Sequence, residues 1–383
     1  MIRRILRLVR FLIIWLFDYY AIKTNHPSAR NLLLVRVDNI GDFILWLPSA
    51  RRILENYPNC RSTVLICNQT CVDFAEATRL FSQVIGVDLR RFIRDLAYRW
   101  RVIRQVTQLG AEIAIQPTYS RVFLTGDSLI RASRAEQRIG SQGDLSNIYP
   151  MQKIISDRWY TWLIPASAKQ LMELERNEEF LRGVGVRNVQ AEIPLIPKLV
   201  QLPPEKRVGN DYFVLFPGAS SPTKKWPLEF FSAVADHLSD QFGWTLVVCG
   251  GPAERLLGDQ VLEKASVLNG INFAGRTTLP ELTELLRGAR VVISNDTSAV
   301  HIAAGVCTPS VCVLGGGHYG RFLPYPIHFD GVRPVSVIHK MDCFGCNWRC
   351  IWTDDASAPY PCVSGVQVNQ VIAGVESALA ATA

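Results

Sequence analysis

A chain of 383 residues is long enough for two domains of ordinary size, each with its own core. Its hydrophobic content of 48% and charged content of 20% are globular values, and they exclude a disordered or fibrous chain. The formal charge of +7 is gathered at Arg3, Arg4, Arg7 and Arg10 and again at Arg90, Arg91, Arg94, Arg99, Arg101 and Arg104. Neither run carries the interleaved glycines and aromatics of an RNA-binding sheet, so an anionic membrane surface or an anionic substrate is the expected partner and nucleic acid is not.

Residues 1–24 are basic and then apolar, with the run Phe11-Leu12-Ile13-Ile14-Trp15-Leu16-Phe17. A membrane-spanning helix needs about 20 apolar residues, and this run is shorter. Asp18-Tyr19-Tyr20 stands where a signal peptide would need small residues. The preferred reading of residues 1–22 is an interfacial anchor, with arginines at the headgroups and Trp15 and the tyrosines at the boundary. The other is a helix packed on the protein's own surface. With no export signal, the expected location is the cytoplasm, peripheral on the inner face of the inner membrane.

Residues 32–37 form a continuous apolar run, read as a strand buried on both faces. It breaks at Asp38-Asn39-Ile40-Gly41-Asp42, and helical spacing follows from Phe43 to Glu55 despite Pro48. Gly41 and Asp42 thus lie at a strand's carboxyl end, where open α/β sheets place their chemistry. One glycine is not a GxGxxG fingerprint, so an oxidoreductase dinucleotide site is not expected. Strands are expected at 62–67, 83–87 and 112–116, with helices at 71–80 and 91–109; the alternation predicts a parallel, doubly wound sheet. Residues 120–155 read as loops and short helices whose arginines (Arg121, Arg131, Arg134, Arg138) either hold an acidic acceptor or form a solvated face. The prolines of residues 193–207 mark a linker between domains at 30–195 and 208–383.

In the second half, a strand at 212–216 runs into Pro217-Gly218-Ala219-Ser220-Ser221, then Lys224-Lys225-Trp226-Pro227 and a helix to about Gln241. Glycine and hydroxyls beside lysines suit a phosphate cradle, although the Walker spacing is absent. A strand at 245–249 leads to Gly250-Gly251-Pro252, with Glu254 in the first turn of the next helix. A helix at 279–287 precedes the strand 291–293, which enters a helix through Asp296, Thr297 and Ser298, with His301 one turn further. A helix N-terminus presents free N–H groups and a positive dipole end to a phosphate. A last strand, 310–314, ends in Gly315-Gly316-Gly317-His318, read as a flexible loop at the same sheet edge. The closing stretch from Val366 to Ala380 reads as a helix.

Of the ten cysteines, Cys60, Cys67, Cys71, Cys249, Cys307 and Cys312 read as small buried hydrophobes. Cys343, Cys346 and Cys350, with Cys362 further on, have spacing that suits a structural zinc; reduced thiols and disulfides are the other readings.

Taken in order, Val35 to Pro48 with Gly41-Asp42, Pro217-Gly218-Ala219 with Lys224 and Trp226-Pro227, Gly250-Gly251-Pro252, and Ser294 to Ser298 with His301 resemble glycosyltransferase family 9, the ADP-heptose:lipopolysaccharide heptosyltransferases. The resemblance covers residues 32–375. It implies a GT-B fold, two Rossmann-like domains facing a cleft, and inverting transfer of a heptose or related sugar from an ADP-sugar donor to a lipopolysaccharide-core or other glycolipid acceptor. It implies no cofactor for transfer. Asp42 would be the general base, with Asp38 its rival, or else Asp42 caps the helix from Phe43. Lys224 would neutralise the departing diphosphate. Gly41, Gly218, Ser220, Ser221, Gly251, Thr297 and Ser298 would surround the donor. Asp296 would bind sugar hydroxyls or cap its helix, Glu254 would touch the ribose or serve as a first-turn carboxylate, and His301 would line the site or sit satisfied in the core. In such folds the last helix often crosses back to the first domain. The family's Asp-Thr-Gly is Asp296-Thr297-Ser298 here. Other readings are the same fold with another nucleotide sugar and acceptor, or a non-catalytic sugar-nucleotide-binding protein at the membrane.

Overall fold

The structure is a computed structural model that describes residues 13–22, 29–267 and 269–382. By compactness the chain divides into two units. The first holds the described residues through Asn39 together with Ser49–Ala168 and Arg176–Val189; the second holds Ile40–Pro48, Lys169–Glu175 and the chain from Gln190 onward. The start of the helix Ile40–Asn56, with Gly41 and Asp42, therefore counts with the second unit.

In the first unit, strands β1 (Asn31–Arg36), β2 (Thr63–Asn68), β3 (Gln83–Val87), β4 (Ala111–Gln116), β5 (Gln137–Ser141) and β6 (Trp162–Ile164) form one parallel sheet, ordered β3-β2-β1-β4-β5-β6. Leu32, Leu33, Leu34 and Val35 have no exposed surface, as a central strand covered on both faces requires. The second unit repeats the order with β7 (Tyr212–Phe216), β8 (Thr245–Val248), β9 (Gly270–Asn272), β10 (Val292–Asn295), β11 (Ser310–Val313) and β12 (Val335–Val337), again all parallel. Its core packs Phe213, Leu215, Phe231, Val248 and Ile293 around Trp226. In each sheet the strand order reverses at the central pair, β1 with β4 and β7 with β10. A crevice outside the strands' carboxyl ends opens at such a switch point.

Several local expectations change. The basic stretch 91–109 is two helices, Leu89–Arg94 and Leu96–Gln108, because Asp95 ends the first and its Oδ1 accepts from Tyr98 N–H at 3.0 Å to start the second. Residues 120–155 are not mainly loop. They hold a π-helical turn at Phe123–Asp127, the helix Ser128–Ser133, β5 and the helix Pro150–Asp157. Of their four arginines, Arg131 is half-buried and Arg134 exposed, and the other two are tied within the unit. Arg121, 1% exposed, pairs with Asp127 and Asp157, and Arg138 donates to backbone carbonyls of Ala135 and Trp159. Strand β5 was unreadable in sequence because Gln137-Arg138-Ile139-Gly140-Ser141 carries a single large apolar residue. The last helix, Val368–Ala380, packs on β11, β12 and the helix Leu228–Phe242 within the second unit. Val371, Val375 and Ala378 supply its buried stripe.

Residues 13–22 are helical, and Ile14, Asp18 and Ala21 face inward while Ile13, Leu16, Tyr19 and Tyr20 are exposed. The helix is thus packed on its own unit by one face. The arginines Arg3, Arg4, Arg7 and Arg10 lie outside the described residues. No helix among the described residues is long and apolar enough to cross a membrane.

Candidate active site

The site is built where β7 and β10 diverge. After β7 the chain turns through Pro217 and Gly218 to a 3-10 turn, Pro222–Lys224, and then to Trp226. Asn295, at the end of β10 and with no exposed surface, ties both ends of this loop. Its Nδ2 donates to Pro217 O at 2.8 Å and Gly218 O at 3.1 Å, and its Oδ1 accepts from Trp226 N–H at 2.9 Å. One buried amide spends three hydrogen bonds on holding the loop's shape, and Trp226 is anchored again through Nε1 to Val366 O.

Gly218 leaves room for Glu254. A Cβ there would stand 1.7 Å from Glu254 Oε1, and one on Gly250 would stand 2.7 Å from Oε2. Glu254 Oε2 also accepts from Gly251 N–H at 2.7 Å, closing a capping box on the turn Pro252–Glu254. Its carboxylate therefore wedges between the loops after β7 and β8, the structural one of its two expected roles. Ser221 bonds Thr223 Oγ1 at 2.6 Å, and its carbonyl accepts from Lys224 N–H, while Ser220 is exposed.

From β10 the chain enters the helix Ser298–Gly305. Thr297 is the N-cap, its Oγ1 accepting from Ala299 N–H at 3.3 Å and lying 2.9 Å from Ser294 Oγ. Asp296 does not cap this helix, and its side chain is free for another partner. The cation that acts on it is Lys224. Burial pushes the Asp296 carboxyl up and the Lys224 ammonium down, and each charge pulls the other back toward ionisation. Ser298 opens the helix with ordinary backbone, so replacing the family's glycine costs no strain here.

His301 is 4% exposed, and its Nδ1 lies 2.9 Å from Tyr325 Oη with the two rings parallel. Burial lowers the imidazole to about 4. On its other side is Gly41, where a Cβ would stand 3.2 Å from His301 Cδ2. His301 is thus a satisfied core histidine whose packing brings the helix start at Ile40 close. That helix has Asn39 at its N-cap position, so Asp42 is not the cap of a helix from Phe43; it sits half-buried in the first turn. Asp38 is committed elsewhere: Thr118 Oγ1 donates to it at 2.8 Å, and Arg36 Nε approaches at 2.9 Å. It serves the loop.

The triglycine after β11 is buried and structured, with a 3-10 turn at Gly316–His318. It is covered by residues 344–348. Gly345 N–H donates to Gly316 O at 2.8 Å and Asn347 N–H to Gly317 O at 2.9 Å. The zinc expectation receives no support: among the described residues no group of three or more His, Cys, Asp or Glu side chains is placed to hold a metal. Cys343, Cys346 and Cys350 are half-buried free thiols, and Cys362 turns its sulfur toward Gly316 N–H at 3.5 Å. Of the six scattered cysteines, Cys307 is exposed and Cys60 half-exposed, against expectation.

Sequence reasoning missed Asn295 as the clamp, Tyr325 as the histidine's partner and Trp348 beside Lys224. Asn295 had a signal, since it lies inside a motif already singled out; Tyr325 and Trp348 had none.

Residues 171–337 match the family model described as Glycosyltransferase family 9 (heptosyltransferase). Among similar proteins, lipopolysaccharide heptosyltransferase 1 of Pseudomonas aeruginosa is 30% identical over 332 residues, 82% of this chain and 87% of that one. The solved family 9 glycosyl transferase of Veillonella parvula superposes with a TM-score of 0.70 at 19% identity, covering 92% of this chain and 98% of that one. Escherichia coli heptosyltransferase WaaC, solved with ADP-2-deoxy-2-fluoro heptose, gives 0.66 at 17% identity, covering 91% and 99%. Two Rossmann-like parallel sheets of this kind are the GT-B fold. The chain belongs to glycosyltransferase family 9, the heptosyltransferase family.

Proposed function

We propose that this protein transfers a heptose or closely related sugar from an ADP-sugar to a lipopolysaccharide-core acceptor, with inversion at the anomeric carbon. The observation that carries the reading is the half-buried Lys224 at the β7/β10 switch point, with the Asp296 charge acting on it, beside the N-terminus of the helix Ser298–Gly305. The relatives are named lipopolysaccharide heptosyltransferases, and the WaaC structure holds an ADP-heptose analogue, which supports this donor.

In the proposed step Asp42 removes the acceptor hydroxyl proton as the acceptor oxygen bonds to the anomeric carbon, and the bond from that carbon to the diphosphate breaks. ADP leaves with its new negative charge met by Lys224, by the Thr297 and Ser298 backbone, and by the hydroxyls of Ser220 and Ser221. Asp296 keeps Lys224 charged in a half-buried setting and meets sugar hydroxyls. All the chemistry is supplied by side chains and backbone.

Membrane association belongs to the same reading. The exposed Ile13, Leu16, Tyr19 and Tyr20 form an apolar, aromatic outer face on the helix of residues 13–22, which suits an interfacial position against anionic lipid. Flotation with anionic vesicles checks this: Leu16→Asp with Tyr20→Asp should abolish binding, and unchanged binding would discard the anchor.

A titration panel of ADP, UDP and GDP against the purified protein tests the donor. ADP should bind at least tenfold tighter than the others. A preference for UDP or GDP would keep the fold and replace the donor, and binding of none would favour a catalytically silent protein.

A further inference from the structure

Trp348 is set in a conformation that a bulky residue avoids. Its φ is 60°, following Asn347 at 51°, and an L side chain in the left-handed region is strained. Its Nε1–H is buried and has no hydrogen-bond partner. An indole placed only to fill space would more cheaply keep ordinary backbone and an acceptor for its N–H. Strain of this sort, found at one residue beside a site, points to a function for that residue.

What the conformation secures is the position of the ring face. Lys224 Nζ lies 4.2 Å from the centroid of the Trp348 ring, well inside the range of a cation–π contact. The ring reaches that point only because its seat is glycine: a Cβ on Gly315 or Gly317 would stand 2.6 Å or 2.3 Å from indole atoms. The seat is locked by the Gly345 and Asn347 hydrogen bonds to Gly316 and Gly317, and by His318 Nε2 to Asn347 Oδ1 at 2.8 Å. Phe344 covers Gly316 beside it. The Lys224 ammonium thus lies against a ring face, Trp348, within the field of the Asp296 carboxylate.

We infer that Trp348 is a positioning residue of the donor diphosphate site, holding the Lys224 ammonium charged and aimed through the ring face, and that the triglycine and residues 344–348 exist to present it. The flexible Lys224 side chain would otherwise lose rotamer entropy on meeting a diphosphate. Fixing it beforehand removes part of that cost from binding. The inference rests on the assignment of Lys224 to the diphosphate.

The test is a double-mutant cycle on ADP affinity by titration calorimetry, using Trp348→Leu, Trp348→Phe, Lys224→Gln and the pair Trp348→Leu with Lys224→Gln, each first shown to unfold cooperatively. Trp348→Leu should weaken ADP roughly tenfold, within the 2- to 30-fold span of such contacts, and Trp348→Phe, which keeps a ring face, should recover most of it. In the Lys224→Gln background Trp348→Leu should cost less than twofold. Equal losses in both backgrounds, or equal losses for Leu and Phe, would make Trp348 a packing residue and overturn the inference while leaving the Lys224 assignment standing. An unchanged affinity in Lys224→Gln would instead remove the diphosphate assignment, and the inference with it.

Discussion

Asp18 and Arg99 meet in a two-point pair, Nε to Oδ1 at 2.6 Å and Nη2 to Oδ2 at 2.5 Å, with the arginine wholly buried and the aspartate 2% exposed. The same guanidinium donates to Phe92 O, Leu124 O and Ser128 Oγ, so it is a hub for the first unit. The pair is what fastens the helix of residues 13–22 to its unit. Asp18→Ala leaves a buried cation without its counter-charge and should destabilise the protein by about 3–5 kcal/mol in urea unfolding. Replacing both partners by apolar residues should recover much of that. A change below 1 kcal/mol for Asp18→Ala would mean that the helix is not held this way.

Asn295 is the strut of the donor side. Asn295→Ala removes three hydrogen bonds and strands two carbonyls and the Trp226 N–H in a dry setting, where each lost partner costs about 1–3 kcal/mol. Unfolding should show a loss of about 2–4 kcal/mol, and ADP affinity should fall with it because Gly218 and Lys224 lose their reference point. Full ADP affinity in a folded Asn295→Ala protein would separate the loop's shape from binding.

At Gly218 the obstacle is a single carboxylate. Gly218→Ala drives a methyl group into Glu254 and should cost about 1–3 kcal/mol in thermal or urea unfolding. Adding Glu254→Ala, which opens that space, should recover part of the loss even though the Gly251 cap is gone. No recovery in the double variant would place the constraint in the backbone.

His301 predicts a pH signature. The folded protein holds the imidazole near 4, below its ordinary 6.5, so between those values the unfolded chain binds the extra proton. The stability contributed by neutral His301 is therefore full above pH 6.5 and is lost as pH falls toward 4, by roughly 2 kcal/mol at pH 5. His301→Asn should shrink the stability difference between pH 7 and pH 5 by about that amount. An unaltered acid limb would mean that other groups carry it.

The strands that could be read directly were the buried ones. Residues 32–35, 213–216 and 246–248 are runs of apolar residues because parallel strands are covered on both faces. Edge strands β6, β9 and β12 are three residues each and half-exposed, too short for any period to show. In the site, the tight approach at Gly218 and the helix cap at Thr297 were legible because local rules act on them. Trp348 was not, since its meaning comes from a contact between residues 124 positions apart in a cysteine-rich stretch that suggested a metal. Arg121 misled for a related reason. A cation in sequence looks like surface until its partners, the buried Asp127 and the half-buried Asp157, are seen.

The central claim is that Asp42 and Lys224 serve one sugar-transfer step as base and diphosphate partner. The direct measurement is release of ADP from ADP-heptose in the presence of a lipopolysaccharide-core acceptor, for the wild type, Asp42→Asn and Lys224→Gln. Loss of a general base and loss of a leaving-group cation should each lower kcat by about a hundredfold or more, with ADP binding kept in Asp42→Asn and weakened in Lys224→Gln. Transfer at the wild-type rate in Asp42→Asn would contradict the account.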